Sequence, residues 1–101
     1  MGTLEGRVAM ITGAGGERGF GRAIARRLAA EGVDLVLTDI APTGLTAVAT
    51  KPKTGWGGLE AVAAEVKPHG RRAMTAVMDV RSAEQIDAVV ARARENFGRI
   101  D

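Results

Sequence analysis

The stretch Val8–Leu28, VAMITGAGGERGFGRAIARRL, decides the fold. Its first four residues, Val8 to Ile11, are consecutive and apolar, the pattern of a strand covered on both faces in a parallel sheet and therefore of a central strand. Thr12 leads into a turn that holds Gly13, Gly15, Gly16, Gly19 and Gly21, and the spacing then becomes helical. That order has a physical purpose. The pyrophosphate of a dinucleotide sits against backbone N–H groups at the positive end of a helix, and a Cβ on the turn would hold it off. Glycine also accepts the positive φ angles that such a turn demands. Glycine-rich loops are common, so the strand before this one and the helix after it supply the specificity.

Outward from the turn, a helix is expected from Gly19 or Phe20 to Ala30. Phe20, Ile24 and Leu28 form its packing face with Ala23 and Ala25 beside them, while Arg22, Arg26, Arg27 and Glu31 point to solvent. Gly32 caps it. Asp34–Asp39, DLVLTD, is a second strand that stops at an aspartate, completing a right-handed βαβ crossover. Residues 40–58 contain Pro42, Pro52 and four glycines and read as one extended exposed loop. Trp56, the only tryptophan, stands near its end. Stacking on an adenine, anchoring a subunit interface and pinning the loop to the domain surface are all open to it, the last being the simplest.

A second helix is expected over Leu59–Val66, stopped by Pro68-His69-Gly70, and a third strand over Arg72–Val80. Ser82 and Gln85 have capping-box spacing, and Ile86, Val89, Val90, Ala93 and Phe97 continue a helix closed by Gly98. The sum is an α/β chain, βαβαβα, of the Rossmann type: an incomplete doubly wound parallel sheet with three strands and three helices. Arg99-Ile100-Asp101 reads as the approach to a fourth strand.

Composition excludes several function classes. The 101 residues suffice for one small domain, and with 46% hydrophobic but only 3% aromatic residues the core must be aliphatic. Fourteen basic against 12 acidic residues leave no basic block, so a nucleic-acid footprint is not expected. The absence of cysteine removes a disulfide framework and any thiolate metal site and suits a reducing cytosol. No apolar run has the length of a membrane span, and MGTLEGRV lacks a signal-peptide core, so the expected setting is soluble and cytoplasmic. His69, the single histidine, lies in a Pro-His-Gly turn and reads as solvated; no metal site is expected.

Thr12 to Ala25, together with Asp39, Asp79-Val80 and Phe97-Gly98-Arg99-Ile100-Asp101, resembles the short-chain dehydrogenase/reductase family over the whole chain. The turn departs from the family pattern. Five residues, Ala14 to Arg18, separate Gly13 from Gly19 where three are usual; a similar longer spacing occurs in the divergent enoyl-reductase branch, which has serine at the Gly19 position. The resemblance implies a dinucleotide site built from Gly13, Gly15, Arg18, Gly19, Phe20 and Gly21 on the phosphate turn, Asp39 on the adenosine ribose, and Asp79 and Val80 on the adenine. A carboxylate at Asp39 accepts from a ribose 2′-OH and repels a 2′-phosphate, which favours NAD over NADP. Arg18 pulls the other way, because a basic residue before the Gly19 position occurs in NADP-preferring relatives. The competing and weaker reading of Asp79 is a turn former before the third helix, and Ser82 reads as that helix's cap.

The family's reaction is hydride transfer between nicotinamide and an alcohol or carbonyl carbon. It uses a tyrosine, a lysine four residues later and a serine, all beyond the fourth strand. The chain contains no tyrosine and so no catalytic residue of that kind. It is expected to be the N-terminal cofactor-binding part of a longer, homo-oligomeric NAD(P)-dependent oxidoreductase and to be inactive alone, with the Arg7–Thr12 strand left as an open sheet edge. The alternative is a non-catalytic module that binds an adenine dinucleotide.

Overall fold

The computed structural model describes residues 3–43 and 55–101. Most of the expected 40–58 loop, residues 44–54, therefore lies outside the described residues. The sheet is built around β2 (Asp34–Asp39), in which all six residues are buried. β1 (Val8–Ile11) pairs with it on one side and β3 (Ala73–Val77) on the other, both parallel, with Val8 opposite Asp34 and Asp39 opposite Val77. β2 is thus the middle strand, and β1, whose apolar run has the pattern of a central strand, has β2 alone as a strand partner among the described residues, the edge position expected without a fourth strand. Its other side is not bare. The Asp101 amide donates to the Val8 carbonyl and the Val8 amide to Asp101 Oδ2, each at 2.8 Å.

The pleat sends alternate residues to opposite faces. Leu35 and Leu37 join Ile11, Ala25, Ala29, Val62 and Val66 in one core beneath α1 (Phe20–Ala30) and α2 (Leu59–Val66). Val36 joins Val8, Met74, Met78, Val89 and Ala93 in a second core beneath α3 (Ala83–Phe97). Helices on both faces make the arrangement doubly wound, as the alternation of strands and helices predicts. Each fully buried leucine or valine contributes about 2 kcal/mol, more than an exposed ion pair at up to about 1 kcal/mol, so these aliphatic layers hold the sheet.

The boundaries of α1, β2 and α2 agree with the sequence reading, while β1 and β3 are shorter at their ends. The face of α1 differs. Its buried residues are Gly21, Ala25 and Ala29, whereas Phe20 is 90% and Ile24 47% exposed. The cause is close approach at the N-terminus: a Cβ on Gly21 would lie 2.7 Å from Ala14 Cα and 2.8 Å from the Gly13 carbonyl oxygen. Only the small-residue face fits against the turn, which rotates the large apolar side chains outward.

α3 begins with half of the expected capping box. Ser82 accepts from the Gln85 amide, but the Gln85 side chain accepts from the Asp79 amide at 2.8 Å rather than from Ser82. Between β2 and α2 the chain departs and returns at one place. The Leu59 amide donates to the Pro42 carbonyl at 2.7 Å, and Gly58, at φ +69°, packs so closely that a Cβ would lie 1.9 Å from that oxygen. No helix among the described residues is long and apolar enough to cross a membrane.

Candidate functional site

The carboxyl ends of the three strands open on one cavity of about 310 Å³, lined by Thr12, Gly13, Asp39, Ile40, Met78, Asp79, Val80 and Arg81. In an open parallel α/β sheet this is the side on which ligands bind. Four of the expected site residues, Gly13, Asp39, Asp79 and Val80, are brought together there. The other five lie on the turn and the start of α1: Gly15 and Gly21 are buried, while Arg18, Gly19 and Phe20 are exposed.

The turn is tied down from β2. The Ala14 amide donates to the Thr38 carbonyl at 2.9 Å, and the Thr38 hydroxyl donates to the Ile11 carbonyl at 3.1 Å. Asp39 is 8% exposed and accepts from two amides, Gly15 N–H on Oδ2 at 2.9 Å and Ile40 N–H on Oδ1 at 2.7 Å. A carboxylate offers roughly four lone-pair positions, so Asp39 retains capacity for further donors. The Gly15 amide, by contrast, is spent within the protein. α1 then starts from Gly19, which supplies no side-chain cap, and its first turn carries no acidic residue. Neither the cap nor the first turn of that helix therefore supplies a carboxylate to its positive end.

Two glycines here have no internal explanation. Among the described residues, a Cβ on Gly16 or Gly19 would meet nothing closer than 3.9 Å, and neither has a positive φ. Gly13, at φ +68°, and Gly21, pressed on Ala14, are needed by the fold; Gly16 and Gly19 leave room on the outer surface for something else to approach.

Asp79 is occupied in a way the sequence reading did not foresee. Arg81 donates to it from its backbone amide (2.9 Å to Oδ1), from Nε (3.0 Å to Oδ1) and from a terminal nitrogen (2.8 Å to Oδ2). These side-chain and then backbone hydrogen bonds hold the Asp79 carboxyl down to about 2. Its own carbonyl accepts from the Ser82 amide, so the turn-forming role is present as well. The Ser82 cap is as expected. Arg81 carries no signal of this role in the sequence, because a residue pair two apart in a loop has no periodicity.

Arg22 corrects a second expectation. Instead of a solvated helix face, it donates through Nε and a terminal nitrogen to both oxygens of Glu65 at 2.8 Å, and through its other terminal nitrogen to the Glu17 carbonyl at 2.8 Å. The hydrogen bonds from Arg22 hold the Glu65 carboxyl below the usual carboxylate range. Trp56, half-buried, donates from Nε1 to the Gly15 carbonyl at 2.8 Å, and the Arg22 guanidinium lies 4.5 Å from its ring centroid. Trp56 is thus pinned to the domain surface, the simplest of the uses open to it. His69 is exposed, and among the described residues no group of three His, Cys, Asp or Glu side chains is placed to hold a metal ion.

A family model described as enoyl-(acyl carrier protein) reductase matches residues 13–101. The (-)-trans-carveol dehydrogenase of Rhodococcus erythropolis is 40% identical over 101 residues, which is 100% of this chain and 35% of that protein. The structure of carveol dehydrogenase from Mycobacterium avium in complex with NAD is similar at a TM-score of 0.79 and 38% identity, over 100% of this chain and 35% of that one. A short-chain dehydrogenase from Mycobacterium paratuberculosis bound to NAD gives 0.77 and 39%, over 99% and 36%. The chain spans about a third of the length of the relatives it matches. With the fold, the turn and the match over residues 13–101 in agreement, this chain belongs to the short-chain dehydrogenase/reductase family.

Proposed function

We propose that the chain forms the adenosine and pyrophosphate half of a nicotinamide dinucleotide site in an oxidoreductase that interconverts an alcohol and a carbonyl compound, with NAD preferred over NADP. The observation that carries this reading is the convergence of Gly13, Asp39, Asp79 and Val80 on one cavity at the carboxyl ends of the strands. Asp39 would hold the ribose hydroxyls with its remaining lone pairs and repel a 2′-phosphate. Asp79 and Val80 would meet the adenine. The N-terminus of α1, with Gly19, Phe20 and the exposed Arg18, would take the pyrophosphate, and the room left beside Gly16 and Gly19 fits a group that must approach the backbone closely. Arg18 does not line the cavity that Asp39 lines, which supports charge repulsion at Asp39 as the deciding influence on cofactor choice.

The nicotinamide, when bound, supplies or accepts a hydride. This chain's residues hold the other end of the molecule, and the acid/base tyrosine, its lysine and the substrate-holding serine belong to residues outside these 101, which contain no tyrosine. A cytoplasmic homo-oligomer is the setting that best suits this reading. Calorimetric titration of the protein with NAD and NADP tests it: NAD should bind at least roughly tenfold more tightly, as expected for a repelled phosphate. Equal or reversed affinities overturn it.

A further inference from the structure

The phosphate turn is gripped both from the cavity wall and from outside it. Gly15 is held on both sides: its amide by Asp39 Oδ2 and its carbonyl by Trp56 Nε1. The peptide units flanking its Cα are thus both fixed by side chains, at a residue type with more backbone freedom to lose than any other. Arg22 braces this arrangement. Its guanidinium lies over the Trp56 ring, donates to the Glu17 carbonyl, and is anchored at both oxygens of Glu65 on α2. Two points of the longer turn, Gly15 and Glu17, are therefore tied to side chains that do not line the cavity.

We propose that Trp56, braced by Arg22, is a positioning residue for cofactor selection. Its N–H fixes the Gly15 carbonyl, so the Gly15 amide remains on Asp39 and the carboxylate keeps one orientation in the cavity wall. Ordering that turn before the ligand arrives lowers the cost of binding. It also directs the charge on which discrimination against a 2′-phosphate depends. The inference rests on the reading of Asp39 given above.

The test is a double-mutant cycle read as the ratio of NADP to NAD dissociation constants, measured by calorimetric titration for the wild type, Trp56→Phe, Asp39→Ala and the double variant. Phenylalanine keeps a ring beneath Arg22 and removes the N–H. Trp56→Phe should lower the preference for NAD roughly fivefold, the usual worth of one hydrogen bond. Asp39→Ala should abolish the preference, and in that background Trp56→Phe should change it no further. If Asp39→Ala alters the ratio and Trp56→Phe does not, even where both affinities fall together, Trp56 is packing only and the inference is overturned. A ratio indifferent to Asp39→Ala overturns the reading of Asp39 and this inference with it. Arg22→Lys keeps a charge toward Glu65 but loses the stacked plane. It should shift the ratio the same way, and it decides the matter if Trp56→Phe does not fold.

Discussion

Arg81 covers both carboxylate oxygens of Asp79, with Nε 3.0 Å from Oδ1 and a terminal nitrogen 2.8 Å from Oδ2. An adenine amine seeking Asp79 must compete with this guanidinium. Arg81→Ala should therefore tighten NAD binding roughly threefold, seen by calorimetric titration. It should also return the Asp79 carboxyl from about 2 toward the ordinary aspartate range in a carboxyl NMR titration. Because the group is held low, the ion pair is complete above that range and opens only as pH falls through about 2, so it adds no pH dependence near neutrality. Weaker binding by Arg81→Ala would assign the base contact to Arg81 instead.

Gly21 and Gly19 should separate stability from binding. A Cβ at Gly21 falls 2.7 Å from Ala14 Cα, so Gly21→Ala should cost about 1–3 kcal/mol and lower the melting temperature. A Cβ at Gly19 meets nothing among the described residues closer than 3.9 Å, and Gly19→Ala should leave stability within about 1 kcal/mol. The same substitution should weaken NAD at least roughly tenfold if the pyrophosphate lies there. Thermal melts and titrations of the two variants read the contrast.

Asp34 lies at the amino end of β2, opposite the cavity, with 3% of its side chain exposed, between Arg71 at 3.1 Å and Arg72 at 2.8 Å. Burial pushes its carboxyl up. Hydrogen bonds from the Arg72 amide and guanidinium, with the charges of both arginines, outweigh burial and leave it below the usual value. Asp34→Ala should cost about 1–2 kcal/mol by removing a buried acceptor from the Arg72 amide and from the part-exposed guanidinium groups of Arg71 and Arg72. A lowered carboxyl stabilises the fold above the unfolded aspartate value and loses that contribution as pH falls below it. The acid limb of a melting-temperature profile should therefore be shallower in Asp34→Asn than in the wild type.

Gly58→Ala combines a φ of +69° with a Cβ 1.9 Å from the Pro42 oxygen, and should destabilise by at least about 2 kcal/mol. A chemical-denaturation midpoint equal to the wild type would refute this.

The element order was legible because its signals are local. The apolar runs of β1 and β2, the glycines after α1 and α3, and the Ser82 cap each act within a few residues, and α1, β2 and α2 fall where the periodicity places them. Long-range relationships left no such trace. Phe20 and Ile24 carry the helical spacing of a packing face, yet the backbone contact of Gly21 with Ala14 turns them to solvent. Arg22 looks like any surface arginine until α2 brings up Glu65, 43 positions away. The acidic lining of the cavity was legible as residue types, Asp39 and Asp79 near strand ends, but their partners, the Gly15 amide and Arg81, emerge only from the paths of the two loops.

The bond between the Pro42 carbonyl and the Leu59 amide has a consequence for how this architecture can diversify. Because the chain leaves β2 and re-enters α2 at one point, whatever is threaded between is a cassette attached at its neck. Closing such a segment costs only about 0.6 kcal/mol for each doubling of its length. A change in its length is therefore cheap in closure entropy, while Trp56, just inside the neck, reaches Gly15. Exchange of that segment can remodel the surroundings of the strand-end cavity without reopening the aliphatic layers beneath it.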